Sequence, residues 1–407
     1  MSLAHVLTVA DGAADDRAAR DVARALAAEG TLVASRQVVD PSEAALEPAL
    51  RGPLEGGGLT VVLAEPGGSA GELVPRVVAR LTGARLVLNE RRLALIEASF
   101  SQRGQAMPRR LDRLGLLPKG AELLPSAPDG WDGWSLARKS GVVIVLPLAS
   151  PHLGSMVSDF LKAPAGPSAA EALVQRVLLT TGLSPADTEA RVGSWLGKEG
   201  DVTVSCVPVE GDVHVRLLGR GATRALAEAA LAPVEADVRA ALGDDCYGQD
   251  DDLLEAVVGR LLLERGWTVS VAESCTGGLL GHRLTNIAGS SRYVERGVIV
   301  YSNRAKEDLL GVPGPLLRAH GAVSAPVARE MAAGVCRISG SPCGLAVTGI
   351  AGPDGGSAEK PVGTVYIGCA TPAGVETRRC FFAGDRVAVK WQSSQAALDM
   401  LRRRLVP

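Results

Sequence analysis

At 407 residues the chain is too long for one ordinary core, and two or three domains are expected. Hydrophobic residues make up 46%, charged residues 22%, and the formal net charge is −2, so the composition is globular and gives no reason to expect nucleic acid or an acidic membrane surface as partner. Aromatic residues are only 3%, which leaves few platforms for stacked bases.

The opening stretch MSLAHVLTVADG has no basic region and only a short apolar run, so no signal peptide is read there. No apolar run reaches the ~18 residues of a membrane span. The seven cysteines are scattered without a CxxC pair, and the five histidines without an HExxH. That pattern argues against a disulfide framework and a structural zinc site. The expectation is a soluble cytoplasmic protein with reduced thiols, no metal and no cofactor. The RRRL run (Arg402, Arg403, Arg404) reads as a solvated helix face.

In chain order, HVLTVA, DDRAARDVARALAAEG, TLVASRQVV, a second helix and LTVVLAEPGG alternate strand with helix. This is the sign of a mostly parallel sheet. VVIVLPLA from Val142 reads as a buried strand, and KAPAGPSAA (162–170) as a linker. DVTVSCVPV and DVHVRLLG alternate in period two around Glu210-Gly211, a predicted hairpin. ATRALAEAALAPVEADVRAALG reads as a helix despite Pro233.

From Asp251 the alternation resumes. Leu254, Val257, Val258, Leu261 and Leu262 share a helical face that Gly266 ends. WTVSVA is a strand, ESCTGG a turn and LLGHRLTNI a helix. RGVIVYS is a strand, followed by NRAKEDLLG, a short helix with Asn303 as its N-cap. SAPVAREMAAGVCRIS is a helix capped by Ser324, CGLAVTG a strand and IAGPDGGSAEKP a loop. GTVYIGCAT and VETRRCFFAG form a hairpin, and a helix from Asp385 closes the chain.

Four strand ends in this last part carry small or polar groups, at the edge where open α/β sheets bind ligands. In ESCTGG, Gly277 and Gly278 let a ligand approach the backbone, and the N–H groups of the following helix favour an anion or a developing oxyanion. Ser274 or Cys275 is then a nucleophile beside that site; a tight turn of small residues is the plainer alternative. In YSNRAK, Lys306 serves as a base if its pKa falls from ~10.4 to ~7–8. Tyr301 relays the proton or holds the lysine. The plainer reading of Lys306 is a surface residue paired with Glu307 or Asp308. TGIAGPDGG supplies Thr348, Gly349 and Gly352, and Arg386 in GDR has the chemistry to clamp a phosphate. Together these favour a phosphorylated small molecule with a hydrolysable bond.

AESCTGG, YSNRAKEDLLGV, HGAVS, TGIAGPDGG, EKPVGTVYIG and GDR stand in the order of the competence-damage-inducible CinA family, whose C-terminal domain residues 251–407 resemble. The resemblance implies a nicotinamide-nucleotide amidase that converts nicotinamide mononucleotide and water to nicotinate mononucleotide and ammonia, in pyridine-nucleotide salvage. It implies Ser274 as nucleophile, Lys306 as base with Tyr301 beside the pair, and substrate contacts from Thr276, Gly277, Gly278, Asn303, Thr348, Gly349, Gly352 and Arg386. It also implies a homodimer.

FSQRGQAMPRRLDRLGLLPKGAELLP is similar to the family's molybdopterin-binding-like N-terminal domain. Its active motifs are changed: TVADGAADD, LAEPGGSAGEL and LPLASPHLGSM stand where members read VGTELLLG, GGLGPTxDD and LPGPPSEM. A metal-dependent ADP-ribose pyrophosphatase needs such carboxylates. Asp11, Asp15, Asp16 and Glu72 are poor substitutes. The expected fold is α/β in three domains: an α/β/α domain over 1–165, expected to be without activity, a small α+β domain over 166–250, and the α/β amidase domain over 251–407. The alternatives to the amidase are that pyrophosphatase, or a non-catalytic protein associated with competence or recombination.

Overall fold

The computed structural model describes residues 3–11, 17–102, 104, 106–124, 133–138, 141–162, 172–198 and 200–406. The expected linker beyond Lys162, together with Asp15 and Asp16, lies outside them. The chain divides into two compact units: Met1–Gln175 with Gly200–Val202 and Leu218–Pro233, and Arg176–Glu199 with Thr203–Leu217 and Val234–Pro407.

The first unit runs β1 (Leu3–Val9), α1 (Arg17–Ala28), β2 (Leu32–Val39), α2 (Glu43–Gly56), β3 (Gly58–Ala64), α3 (Gly68–Thr82), β4 (Leu86–Leu88), α4 (Glu90–Gln102), β5 (Leu116–Pro118), β6 (Glu122–Leu123), β7 (Trp134–Arg138), β8 (Gly141–Pro147) and α5 (Leu153–Lys162). Its sheet has the order β2-β1-β3-β8-β7-β6, and β4 pairs with β5 in a separate ribbon. The first four strands are parallel, and β7 and β6 are added antiparallel. Successive residues of β3 point to opposite faces. Val61 and Leu63 pack with Val22, Leu26 and Val157 of α1 and α5, while Val62 packs with Leu50, Val74 and Val78 of α2 and α3. A near-continuous apolar run is what a strand covered on both faces requires. The expected buried strand VVIVLPLA is β8.

The next segment holds β9 (Ala172–Thr180), α6 (Pro185–Val192), β10 (Val202–Val209), β11 (Asp212–Gly221), α7 (Arg224–Leu242) and β12 (Cys246–Gln249), in a sheet ordered β10-β11-β9-β12. The predicted hairpin forms: Glu210 and Gly211 both take positive φ (51° and 95°), the geometry that suits a two-residue connection between twisted strands. Pro233 is accommodated inside α7, as expected.

The C-terminal part of the second unit contains α8 (Leu254–Arg265), β13 (Val269–Glu273), α9 (Leu279–Thr285), β14 (Val294–Ile299), α10 (Asn303–Leu310), α11 (Gly314–His320), α12 (Ala325–Ser339), β15 (Cys343–Gly349), β16 (Thr364–Thr371), β17 (Gly374–Phe381) and α13 (Arg386–Leu405). The sheet order is β14-β13-β15-β16-β17. β14, β13 and β15 are parallel; β16 and β17 form the antiparallel hairpin. Val271, Leu345 and Val347 face a core with Val258, Leu262, Leu398 and Leu401 of α8 and α13. Ala272 and Ala346 face Val327, Met331 and Val335 of α12 on the other side. Each large apolar side chain so buried contributes about 1.5–3 kcal/mol. This topology brings the C-terminal ends of β13, β14, β15 and β17 to one edge, so the four candidate strand ends do converge.

Three local expectations are corrected. Ser302, not Asn303, caps α10: its hydroxyl accepts from the Ala305 N–H at 3.0 Å, and Asn303 is an exposed first helical residue. Ser324 occupies the N-cap of α12, but its hydroxyl donates to the Gly321 carbonyl at 2.9 Å and caps nothing. The RRRL run is not a solvated basic face. Arg402 is buried and bonded to Asp399 and the Asp244 carbonyl, Arg403 bridges Asp399 and Asp245, and Arg404 pairs with Glu376.

Among the described residues no helix is long and apolar enough to cross a membrane. Among the same residues no group of three or more His, Cys, Asp or Glu is placed to hold a metal.

Candidate functional site

The site starts where β13 ends. Ser274 is the first residue after the strand and is buried, 8% exposed, with its N–H donating to the Val347 carbonyl of β15 at 2.9 Å. A turn follows in which Gly277 and Gly278 take φ of 60° and 97°, conformations that a side chain disfavours. This reversal lets α9 start at Leu279, directly behind the serine.

Glu273, one residue before the serine, was not anticipated as part of the site. Its carboxylate is 1% exposed and accepts the N–H groups of Gly278 (2.9 Å), Leu280 (3.1 Å) and Gly281 (2.8 Å). The expectation that the N–H groups opening this helix await an external anion is therefore corrected: the chain supplies its own. Donors left for a developing oxyanion lie in the turn between Ser274 and Gly277. The sequence signal was a glutamate just before the glycine turn at a helix start, where a carboxylate is favoured.

β14 is the parallel neighbour of β13, with Glu273 opposite Ile299. The Val300 N–H donates to the Glu273 carbonyl at 2.7 Å. The next residues turn into α10, and its Lys306 runs back under the strand end. Lys306 is 1% exposed, and its Nζ lies 3.1 Å from Ser274 Oγ, 2.7 Å from the Val300 carbonyl and 3.3 Å from the Tyr301 carbonyl. The surface-pair alternative does not hold, since Asp308 pairs instead with Arg304. Burial removes water from the ammonium and pulls its pKa down from 10.5 to about 8.

Tyr301 meets Lys306 through its main-chain carbonyl. Its side chain is 63% exposed, and its hydroxyl accepts from Arg386 Nη2 at 3.2 Å. Among the described residues the phenol makes no hydrogen bond to Lys306; the Tyr301 carbonyl is what holds the lysine. Arg386 opens α13 and also donates to the Gly352 carbonyl at 2.7 Å. Gly352 is buried and takes φ of 82°; a Cβ there would come within 2.7 Å of Val362. Gly349 is equally constrained, because a Cβ would meet Val365 at 2.6 Å and the Thr364 carbonyl at 2.9 Å.

Thr348 is buried, and its hydroxyl donates to the Ala322 carbonyl at 2.9 Å, tying β15 to the HGAVS loop. Thr276 is fully buried in the turn, and its hydroxyl has no hydrogen-bond partner among the described residues. Asn303 makes no side-chain hydrogen bond among them. Cys275 is 6% exposed and packs in the core with Leu280 and Val347. Burial pushes its thiol up to about 12, so it is a neutral thiol at ordinary pH. The site thus joins Ser274 to Lys306, Tyr301 to Arg386, and Arg386 to Gly352.

A family model described as the CinA C-terminal domain matches residues 251–405, and one described as the damage-inducible protein CinA KH domain matches residues 175–248. A putative competence-damage inducible protein of Symbiobacterium thermophilum is 38% identical over 402 residues, covering 95% of this chain and 94% of the relative. A CinA-like protein of Geobacter sulfurreducens is 40% identical over 402 residues, covering 96% and 95%. Among solved structures, a CinA superfamily protein from Klebsiella pneumoniae is similar at 37% identity and a TM-score of 0.37, covering 37% of this chain and 95% of that one. A competence/damage inducible protein from Agrobacterium tumefaciens is similar at 43% identity and a TM-score of 0.36, covering 37% and 93%. On this extent of identity, the chain belongs to the CinA family.

Proposed function

We propose that the C-terminal part of the chain is an amidase that hydrolyses the carboxamide of nicotinamide mononucleotide, with Ser274 as nucleophile and Lys306 as its base. The observation that carries this reading is the 3.1 Å contact between Lys306 Nζ and Ser274 Oγ, in a buried setting. As an ammonium, Lys306 has three N–H groups for three acceptors: Ser274 Oγ and the carbonyls of Val300 and Tyr301. A carbonyl only accepts. When the ammonium loses a proton, its two remaining N–H groups stay on the carbonyls and its lone pair falls to Ser274. The geometry therefore aims the neutral amine at the serine hydroxyl.

In the reaction Lys306 takes the hydroxyl proton while Ser274 Oγ attacks the carboxamide carbon. The negative charge that forms on the carbonyl oxygen is met by N–H groups of the turn after Ser274. Lys306 then gives its proton to the departing nitrogen, the C–N bond breaks, and ammonia leaves an acyl ester on Ser274. Water repeats the sequence with Lys306 as base and releases the carboxylate. Arg386, beside this centre, has the charge and planar donor set for the nucleotide phosphate. The reading also divides the chain functionally into 1–165, 166–250 and 251–407, with the chemistry in the last.

The test is ammonia release from nicotinamide mononucleotide without added metal, with Ser274→Ala and Cys275→Ala in parallel. Release by the wild type and the cysteine variant, but not by the serine variant, is expected. Release by the serine variant at the wild-type rate, or by none of the three, overturns the reading.

A further inference from the structure

One cation beside the site has no role in the chemistry described. Lys390 lies on α13 four residues after Arg386, a spacing that puts both on one helix face. Its Nζ stands over the nucleophile turn: a Cβ built on Gly277 would lie 3.8 Å from it, and nothing else would lie as close to that Cβ. Gly277 is exposed and Lys390 half-buried, so the ammonium borders an open face of the turn. Among the described residues neither cation forms an ion pair. Among the same residues Arg386 hydrogen-bonds the Gly352 carbonyl and the Tyr301 hydroxyl, and Asp385 accepts the Ala388 N–H at 2.8 Å as the helix cap.

Arg386 and Lys390, one helical turn apart on α13, put two positive charges near the turn that follows Ser274. An arginine there offers a planar fork, and a lysine a mobile point charge. We propose that Lys390 is a specificity-determining residue which, with Arg386, binds the phosphomonoester of the substrate across the Gly277 turn, so that the site selects a phosphorylated ribosyl amide over its unphosphorylated form. This rests on the amidase reading and deepens it. Gly277 has no side chain, so the face of the turn beside Lys390 stays open. Lys390 is far in sequence from the nucleophile, and only its helical register with Arg386 marks it.

The experiment compares wild type, Lys390→Met and Lys390→Arg on nicotinamide mononucleotide and on nicotinamide riboside, which lacks the phosphate. A lost charge-assisted contact to phosphate raises KM for the mononucleotide by about 10- to 100-fold in Lys390→Met, with kcat within about threefold. The riboside parameters stay unchanged, which also reports an intact fold, and Lys390→Arg restores most of the mononucleotide KM. An unchanged mononucleotide KM, or an equal loss on both substrates, overturns the proposal. If the wild type releases ammonia from neither amide, the amidase reading fails by itself. Equilibrium dialysis with ribose 5-phosphate against ribose then decides the role of Lys390: phosphate-dependent binding lost in Lys390→Met supports it, and binding that is absent or unaffected sinks it.

Discussion

Lys306 Nζ sits 3.1 Å from Ser274 Oγ, and its two other partners are main-chain carbonyls, with no carboxylate to hold its charge. A buried ammonium with only dipolar partners is poised to lose its proton, and burial sets its pKa at about 8. The base works only when neutral. The prediction is that kcat/KM on nicotinamide mononucleotide rises with pH through about 8 and levels off above it. Lys306→Met lowers kcat/KM by about 10²- to 10⁴-fold, and Lys306→Arg, which stays protonated, does no better. A profile flat from pH 6 to 9 removes Lys306 as the base.

The same burial predicts a stability difference with a definite sign. The folded value of about 8 lies below the ordinary 10.5, so between those pH values the unfolded chain binds more protons at this lysine. Stability therefore rises with pH across that window. The wild type gains about 3 kcal/mol relative to Lys306→Met between pH 8 and 10.5. Urea unfolding of both proteins at the two ends measures it; a constant difference shows that the lysine is not desolvated in solution.

Cys275 is next to the nucleophile in sequence yet belongs to the core. A thiol pushed up to about 12 presents almost no thiolate at neutral pH. Iodoacetamide should leave the native enzyme active, and Cys275→Ala should keep activity within about threefold while costing about 1 kcal/mol of stability. Rapid inactivation by alkylation at Cys275 contradicts this assignment.

Glu273 holds the turn that presents the serine. Replacing its carboxylate by an amide leaves an NH₂ group facing one of the N–H donors of Gly278, Leu280 or Gly281. Glu273→Gln should lose about 2–4 kcal/mol, since hydrogen bonds to a charged group contribute about 1.5–3 kcal/mol each. Ammonia release should fall with it, because Ser274 depends on the same turn. A variant with wild-type urea midpoint and rate shows that the glycines alone fix the turn.

Much of this arrangement is legible in the sequence. Apolar runs ending in small or polar residues mark β13 and β15; parallel pairing brings the ends of β14, β13 and β15 to one edge, and the antiparallel β16 returns the chain so that β17 ends there too. What the sequence conceals is direction. Val300 is buried while its neighbour Tyr301 is exposed, so the tyrosine ring turns away from Lys306 and meets Arg386, 85 residues on. Lys306 and Ser274 are 32 residues apart, and only the fold supplies their contact. The arginines at the end of α13 are not a solvated face because a distant segment meets them: the Asp245 carboxylate pairs with Arg403, and the Asp244 carbonyl accepts from Arg402. Asp399 stands three and four residues before Arg402 and Arg403, which was the readable half of that cluster.

A half-buried carboxylate bonded to α13 gives a last prediction. Asp212, at the start of β11, accepts from Gln395 Nε2 at 2.7 Å, and Gln395 in turn accepts from Arg283 of α9, the helix that follows the nucleophile turn. Burial raises the pKa of Asp212 from 3.8 to about 6, against the opposing hydrogen bonds from Thr181, Gln395 and Gly182. A raised carboxylate pKa means that the folded protein binds the proton more tightly, so this group's contribution falls as pH rises from 3.8 to about 6 and its full cost is present above that. Asp212→Asn never carries the charge. Its stability relative to wild type should therefore be higher at pH 7 than at pH 4 by about 2 kcal/mol, a value reduced for partial solvent screening. Urea unfolding of the two proteins at both pH values tests it. A relative stability independent of pH would mean that Asp212 ionises freely, and that its bond to Gln395 puts no charge strain on the chain of contacts leading to α9.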